Sequence, residues 1–223
     1  MKTIWIVNYY AGTPETMGNV RHFEFARHLI AAGYIVRGFR ADHSGDAIEF
    51  KGKKYINKEY GGVPYTCIKA KSYVGNGIKR ILSIFQFAWR LFLFRNKFEK
   101  PDIILQNIHA PFDFPVVWAA KRLKSRYIAE AWDLWPNSFV RFGLISAKSL
   151  MVKFAYGVEK KMYENASDII FTFEGGIDYL RWHKWTTETR GKIDPQKVHY
   201  INNGILLKEF YDNARQYLTD DPD

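Results

Sequence analysis

Residues Pro101 to Asn137 read PDIILQNIHAPFDFPVVWAAKRLKSRYIAEAWDLWPN, and this stretch decides the fold. Asp102 to Ile108 is a short apolar run after a proline and a carboxylate, the pattern of a strand buried on both faces. Phe114 to Leu123 places Val117, Trp118, Ala120 and Leu123 at helical spacing, and Arg126 to Trp132 is apolar again. That succession is a β-α-β unit. In open parallel sheets, ligands bind beyond the carboxyl ends of the strands, where the loops share a crevice and helix N-termini point into it. Two loops of this unit reach that edge, one with His109 and one with Asp133, Leu134, Trp135 and Pro136. Each residue also has a plain alternative. A His after a strand serves as a hydrogen-bonded loop residue, and an Asp before Leu-Trp-Pro caps a turn. Topology brings the two to one edge, which makes His109 and Asp133 the catalytic candidates.

Working outward, the same alternation continues. Thr3 to Tyr9 is a β-branched and aromatic strand, and Asn19 to Ile30 a helix with Phe23, Ala26, Leu29 and Ile30 inward. Gly18 sits where that helix begins, and unpaired N–H groups there favour an anion. Gly33 ends the helix and Tyr34 to Phe39 makes the second strand. Residues 43 to 77 read as an irregular excursion with short strand-like pieces such as Tyr65 to Ile68. Ala147 to Ala166 is a helix with Leu150, Phe154, Val158 and Met162 along one face and a solvated Glu159. Asp168 to Phe173 and Val198 to Ile201 are further strands around a Gly175 to Trp185 helix. Asn202, Asn203 and Gly204 turn the chain, and Leu206 to Tyr217 is helical. The fold class is α/β, a Rossmann-like parallel sheet flanked by helices. At 223 residues the chain can bury one large core.

Composition limits the functions. Neither G-x-G-x-x-G nor G-x-x-x-x-G-K-[ST] occurs, which argues against dinucleotide oxidoreductases and P-loop enzymes. Cys67 is the only cysteine, so an intrachain disulfide and a multi-cysteine metal site are excluded. The net charge is +10. From Lys69 to Lys100 eight Lys or Arg stand against Glu99, a local net of +7, which implies an anionic partner. Nucleic acid would fit the charge, yet no recognition motif accompanies it. An anionic membrane fits better. Ile78 to Phe98 is the most apolar segment, with Lys79, Ser83, Gln86 and Arg90 in one narrow polar stripe. Such a helix is either buried against the sheet or interfacial, with Phe85, Phe87, Trp89, Phe92 and Phe94 in the acyl boundary and Lys79, Arg80, Arg90 and Arg95 among lipid phosphates. Its charge-free run is too short to span a bilayer. The start lacks a signal-peptide pattern, so a cytoplasmic protein, peripheral at the inner membrane face, is expected.

The placed elements resemble the N-terminal domain of a bacterial GT-B glycosyltransferase of the retaining family 4, on the branch that builds surface polysaccharides. The residues carrying the resemblance are the opening strand and loop to Gly18, Arg21 and His22, I-H-A-P at Ile108 to Pro111, and E-A-W-D-L-W-P at Glu130 to Pro136. Y-E-N-A-S-D-I-I after Glu159 and I-N-N-G at Ile201 to Gly204 complete the series. The resemblance implies a nucleotide-diphosphate sugar as co-substrate, no cofactor or metal, and a lipid-linked or glycan acceptor. It implies that Gly18 approaches the diphosphate, that His109 contacts the donor sugar and that Asp133 lines the cleft, with Arg21, Trp135 and Asn203 as further substrate contacts. Trp132 departs from the His that many relatives carry before the Asp. The expected division is a Rossmann-like acceptor-side domain over 1–204 and an interdomain linker with acidic tail over 205–223, the donor-binding domain with its glutamate pair being absent. The competing expectation is a non-catalytic membrane-docking or interaction subunit of a split glycosyltransferase.

Overall fold

A computed structural model describes residues 1–16, 20–41, 48–75, 77–205 and 207–216. Gly18 therefore lies outside the described residues. Eight strands form one sheet: β1 (Thr3–Val7), β2 (Ile35–Ala41), β3 (Tyr55–Tyr60), β4 (Val63–Ile68), β5 (Ile103–Asn107), β6 (Arg126–Ala131), β7 (Asp168–Phe171) and β8 (Val198–Tyr200), in the order β3-β4-β2-β1-β5-β6-β7-β8. All pairings are parallel except that of the edge strand β3 with β4. The chain winds outward from β1 to β2 and β4, then returns past β1 to β5 and beyond. The strand order thus reverses between β1 and β5, where a parallel sheet opens a crevice.

Helices cover the two faces unequally. On one side α1 (Arg21–Ala31) lays Phe23 and Ala26 against Ile4, Ile6 and Val36. Leu29 and Ile30, expected inward, are only half-buried, while Arg21 and His22 are buried instead. The helix ends at Gly33, whose φ of +88° meets the expected need for a residue without Cβ. On the other side α2 (Ile78–Phe94), α3 (Pro115–Leu123), α5 (Leu150–Asn165) and α6 (Gly176–Trp182) pack on Trp5, Phe39, Ile104, Tyr127 and Phe171. The short α4 (Asn137–Arg141) follows β6, and α7 (Leu207–Gln216) follows β8. Gly38 of β2 makes room for Tyr65 of β4, since a Cβ there would fall 2.3 Å from the ring. Alanine at 38 would force the buried Tyr65 ring to move.

Three expectations are corrected. Residues 43–77 are not irregular throughout: β3 and β4 form a hairpin over Gly61 and Gly62, both at positive φ, that widens the sheet. Of the two readings of α2, burial against the sheet holds for one face, which takes Ser83 of the polar stripe with it. Ser83, Ile84, Phe87, Ala88 and Leu91 are buried, and Ser83 accepts a 2.7 Å hydrogen bond from Tyr9. Phe87 is therefore core rather than a membrane residue, while Phe85 and Trp89 stay exposed. On α5 the buried face is Val152, Ala155, Glu159 and Met162, so Leu150 and Phe154 face out and Glu159 is wholly enclosed. Its carboxyl accepts hydrogen bonds from Tyr179 (2.7 Å) and Tyr163 (3.3 Å). Burial pushes it well above the ordinary carboxyl range, against the pull of the two phenols. Desolvation thus favours the protonated form of Glu159.

Candidate functional site

At the β1/β5 switch point the loops after β1, β5 and β6 enclose a hollow of about 140 Å³. Tyr10, His109, Asp133, Trp135 and, from α2, Arg80 line it, with Asn107 and Trp132 at its sides. The two catalytic candidates thus share one cavity. Both β5 and β6 loops pass through a cis proline, at Ala110–Pro111 and Trp135–Pro136.

His109 is almost buried. Its backbone N–H donates to Asp113 Oδ2 at 2.5 Å, which folds the β5 loop over the start of α3. Its ring lies 5.0 Å from that of Tyr10 and 6.0 Å from that of Trp135, centroid to centroid. Nδ1 has no hydrogen-bond partner and stands 3.5 Å from Asp113 Oδ2. With the Tyr9 ring at 6.4 Å, three rings pack edge-on around the imidazole beside the Asp113 carboxylate. Asp133 is exposed at the mouth. Arg80, assigned to lipid by its place in a basic segment, turns into this hollow. Its Nε donates to the Tyr10 hydroxyl at 2.6 Å, and its guanidinium lies 5.2 Å from the Tyr10 ring and 5.6 Å from that of Trp135. Burial, with Tyr73 alongside, raises the Tyr10 phenol despite Arg80, so Tyr10 keeps its proton at neutral pH.

Behind the hollow a second set of polar groups ties the strand ends together. Glu130, at the end of β6, is fully enclosed. Its Oε1 accepts from Arg21 Nε at 3.0 Å, and its Oε2 accepts from Trp132 Nε1 at 2.7 Å and from His22 Nε2. The Asn8 side-chain oxygen is occupied by the backbone N–H of Tyr10, so its amide nitrogen faces His22 Nδ1 at 3.0 Å. That contact leaves the imidazole proton on Nε2, pointing at Glu130. Burial alone would raise the Glu130 carboxyl, but His22, Arg21 and Trp132 overcome it and hold the group below its ordinary value. Arg21 spends its remaining donors on the carbonyls of Ile201 (2.9 Å) and Asn202 (2.7 Å) and on Asn203 Oδ1 (3.4 Å). Arg21 and Asn203, expected to touch substrate, are thereby joined to each other beside a second, wider hollow of about 580 Å³ between α1 and α7.

The remaining basic candidates stand apart. Arg90 donates to the Lys69 carbonyl and Arg95 to that of Phe92 (2.6 Å), while Lys79 and Trp89 are exposed on α2. Tyr10, Asp113 and Glu130 were not singled out from sequence. Tyr10 and Glu130 meet segments distant in the chain, whereas Asp113 meets His109 four residues before it and Glu130 also meets Trp132 two residues on. Among the described residues no cluster of three or more His, Cys, Asp or Glu forms a metal-sized group, and no helix is long and apolar enough to cross a membrane.

No protein-family model and no curated protein matches the chain. Solved structures do. An α,α-trehalose-phosphate synthase (UDP-forming) from Burkholderia vietnamiensis superposes with a TM-score of 0.61 at 12% identity over 99% of this chain and 53% of its own. A trehalose-6-phosphate enzyme from E. coli bound with UDP-2-fluoro glucose gives 0.60 at 11% identity, over 95% and 51%. A UGT of Arabidopsis thaliana complexed with UDP gives 0.52 at 8%, over 92% and 49%. The fold is that of half a GT-B glycosyltransferase. This GT-B-like chain spans about half the length of each structure it matches. Its strand-end hollow occupies the place where open α/β sheets bind ligands.

Proposed function

We propose that the chain is the acceptor-side half of a retaining glycosyltransferase. It moves a sugar from a nucleotide-diphosphate sugar to a lipid-linked glycan acceptor in the synthesis of a surface polysaccharide. The observation that carries this reading is the convergence of His109, Asp133, Tyr10, Trp135 and Arg80 on one hollow at the switch point of a GT-B-like sheet. The residue types suit the chemistry. Arg80 supplies positive charge for a diphosphate or phosphate oxygen, and aromatic walls accept the apolar face of a sugar ring. Asp133 accepts from sugar hydroxyls, and the prealigned His109 imidazole donates or accepts beside the reacting centre. Such a site needs no metal, because fixed cations and N–H dipoles stabilise a leaving diphosphate.

A hollow of about 140 Å³ is small beside the roughly 300–1,000 Å³ of a complete small-molecule site. A donor-binding domain closing over the strand ends supplies the other wall in this reading. Holding donor and acceptor together there is worth about 7–11 kcal/mol of barrier. The exposed apolar and basic side chains of α2 and α5 support a peripheral position on the anionic cytoplasmic face of the inner membrane. The test is a nucleotide-sugar screen on the full-length natural protein with lipid-linked acceptors. Transfer that collapses in both His109→Ala and Asp133→Ala supports the reading; transfer unchanged in both, with the fold intact, sinks it.

A further inference from the structure

Asp113 lies just before α3, a place where an aspartate usually caps the helix. Here the cap has no side-chain hydrogen bond, and the carboxylate turns back to His109 instead. Its Oδ2 accepts the His109 backbone N–H and stands 3.5 Å from the imidazole Nδ1, which at that range is an electrostatic contact rather than a formed hydrogen bond. Both residues are enclosed, Asp113 at 3% exposure and His109 at 7%, and neither Nδ1 nor Asp113 Oδ1 has a hydrogen-bond partner. The backbone of Asp113 is held as well. The Tyr127 hydroxyl donates to Gln106 Oε1 at 2.8 Å, which orients that amide so that Gln106 Nε2 donates to the Asp113 carbonyl at 3.3 Å. Burial raises the Tyr127 phenol and the Asp113 charge adds to it, so Tyr127 keeps its proton and the direction of these bonds is fixed.

We propose that Asp113 is the positioning residue of the site: it keeps the His109 proton on Nδ1, so that Nε2 meets the substrate as a lone-pair acceptor. The inference deepens the function proposed above and rests on it for the word substrate. A neutral imidazole carries one N–H and one lone pair. With the lone pair on Nδ1, two acceptors would face each other at 3.5 Å where both are enclosed and poorly screened; with the proton there, an N–H dipole points at a carboxylate. The second arrangement is favoured. Because Nδ1 is sealed beside Asp113 while His109 lines the hollow, Nε2 is the nitrogen left for a ligand. A lone pair there accepts a hydrogen bond from a sugar hydroxyl. The other titratable or charged groups about the ring are Tyr9 and Tyr10 beside it, and Asp133 and Arg80 on the walls of the hollow. Burial raises both phenols, so they stay neutral and leave the carboxylate to set the proton. His22 is set the other way, with its proton on Nε2 at Glu130 and Nδ1 at the Asn8 amide.

The test is long-range proton–nitrogen NMR of the imidazole rings in the histidine-labelled chain at about pH 8, where an ordinary imidazole is neutral. The His109 signal is assigned by its loss in His109→Gln. It is expected in the Nδ1–H form, against the Nε2–H form of His22. Asp113→Ala should move the ratio of the two forms at His109 about fivefold to tenfold towards Nε2–H. Asp113→Asn, which keeps an oxygen for the backbone N–H and removes the charge, should move it less and in the same direction. Thermal unfolding and an unchanged His22 signal check each fold, and if Asp113→Ala does not fold, Asp113→Asn carries the test. In the full-length protein Asp113→Asn should lower kcat about tenfold or more with KM little changed, because the imidazole then presents the wrong nitrogen. A proton on Nε2 of His109 in the wild type, alone or together with one on Nδ1, or a ratio unmoved in the folded variants, overturns the assignment. So does a moved ratio with kcat unchanged. The expected spectra with no sugar transfer by the full-length protein keep Asp113 as the group that sets the His109 proton and remove the enzyme reading alone.

Discussion

Glu130 and Glu159 are both fully enclosed, yet their carboxyls are shifted in opposite directions. Glu130 stands at the carboxyl edge of the sheet among Arg21, His22 and Trp132, and remains an ion despite its burial. Glu159 stands in the helical layer, where the donors are two phenols, and desolvation wins. The difference teaches that burial sets the cost of a charge and the partners set its sign. The edge, where open α/β sheets bind ligands, is stiffened by an ionic clamp running from α1 through β6 to the segment after β8. The helical layer is held by neutral hydrogen bonds and apolar contact.

The pH dependence separates the two. A lowered carboxyl contributes stability that is present above its unfolded value of about 4.3 and lost as pH falls through the folded value. Glu130 is of this kind. A raised carboxyl contributes stability that is full below about 4.3 and lost as pH rises towards its folded value. Glu159 is of that kind.

The largest expected effect tests the clamp. Glu130→Ala leaves Arg21 buried beside no carboxylate and should cost about 3–5 kcal/mol in urea unfolding at pH 7. A loss below about 1 kcal/mol would mean that the clamp is not an ion pair at all. Next come His109→Ala and Asp133→Ala, which test the proposed function. Each should lower turnover by about 10²-fold or more, and Asp133→Ala, at an exposed position, should do so with its melting temperature retained. Glu159→Gln is smaller, because an amide replaces a protonated carboxyl of the same shape. It should stay within about 1.5 kcal/mol of the wild type at pH 6. Above that, the balance should move towards the glutamine variant by up to about 1.4 kcal/mol per pH unit. A shift towards the wild type instead would show that Glu159 is ionised. The smallest effect concerns the exposed lysines in the loop before α5 and in its first turn. Lys148→Glu and Lys153→Glu should each weaken binding to anionic vesicles by about 1 kcal/mol, and flotation at raised salt should erase the difference.

Much of the fold was legible. The β5-α3-β6 unit lies within a residue or two of its expected bounds, because continuous apolar runs, a proline at the helix start and helical spacing all agree there. His109 and Asp133 meet in one hollow for the topological reason their sequence positions implied. The hairpin of β3 and β4 was not legible in full, since Tyr55–Tyr60 reads YINKEY, a half-polar strand that gains its place only by pairing with β4.

What sequence by itself determined here is local: which segments are strands or helices, where Gly33 must stop a helix, and which loops share the carboxyl edge. Tertiary structure alone decided which side of each helix meets the sheet. Helix α5 carries two interleaved apolar stripes, and periodicity cannot choose between Leu150 with Phe154 and Val152 with Ala155. It also decided the partners of single charges. A basic stretch placed Arg80 with a membrane, whereas its guanidinium turns to Tyr10 and Trp135, seventy residues before it and fifty-five after. The physical reason is the same in both cases. Spacing along a chain repeats every few residues, but a buried group's energy depends on atoms within about 4–6 Å, and those belong to whatever distant strand or loop the fold brings alongside.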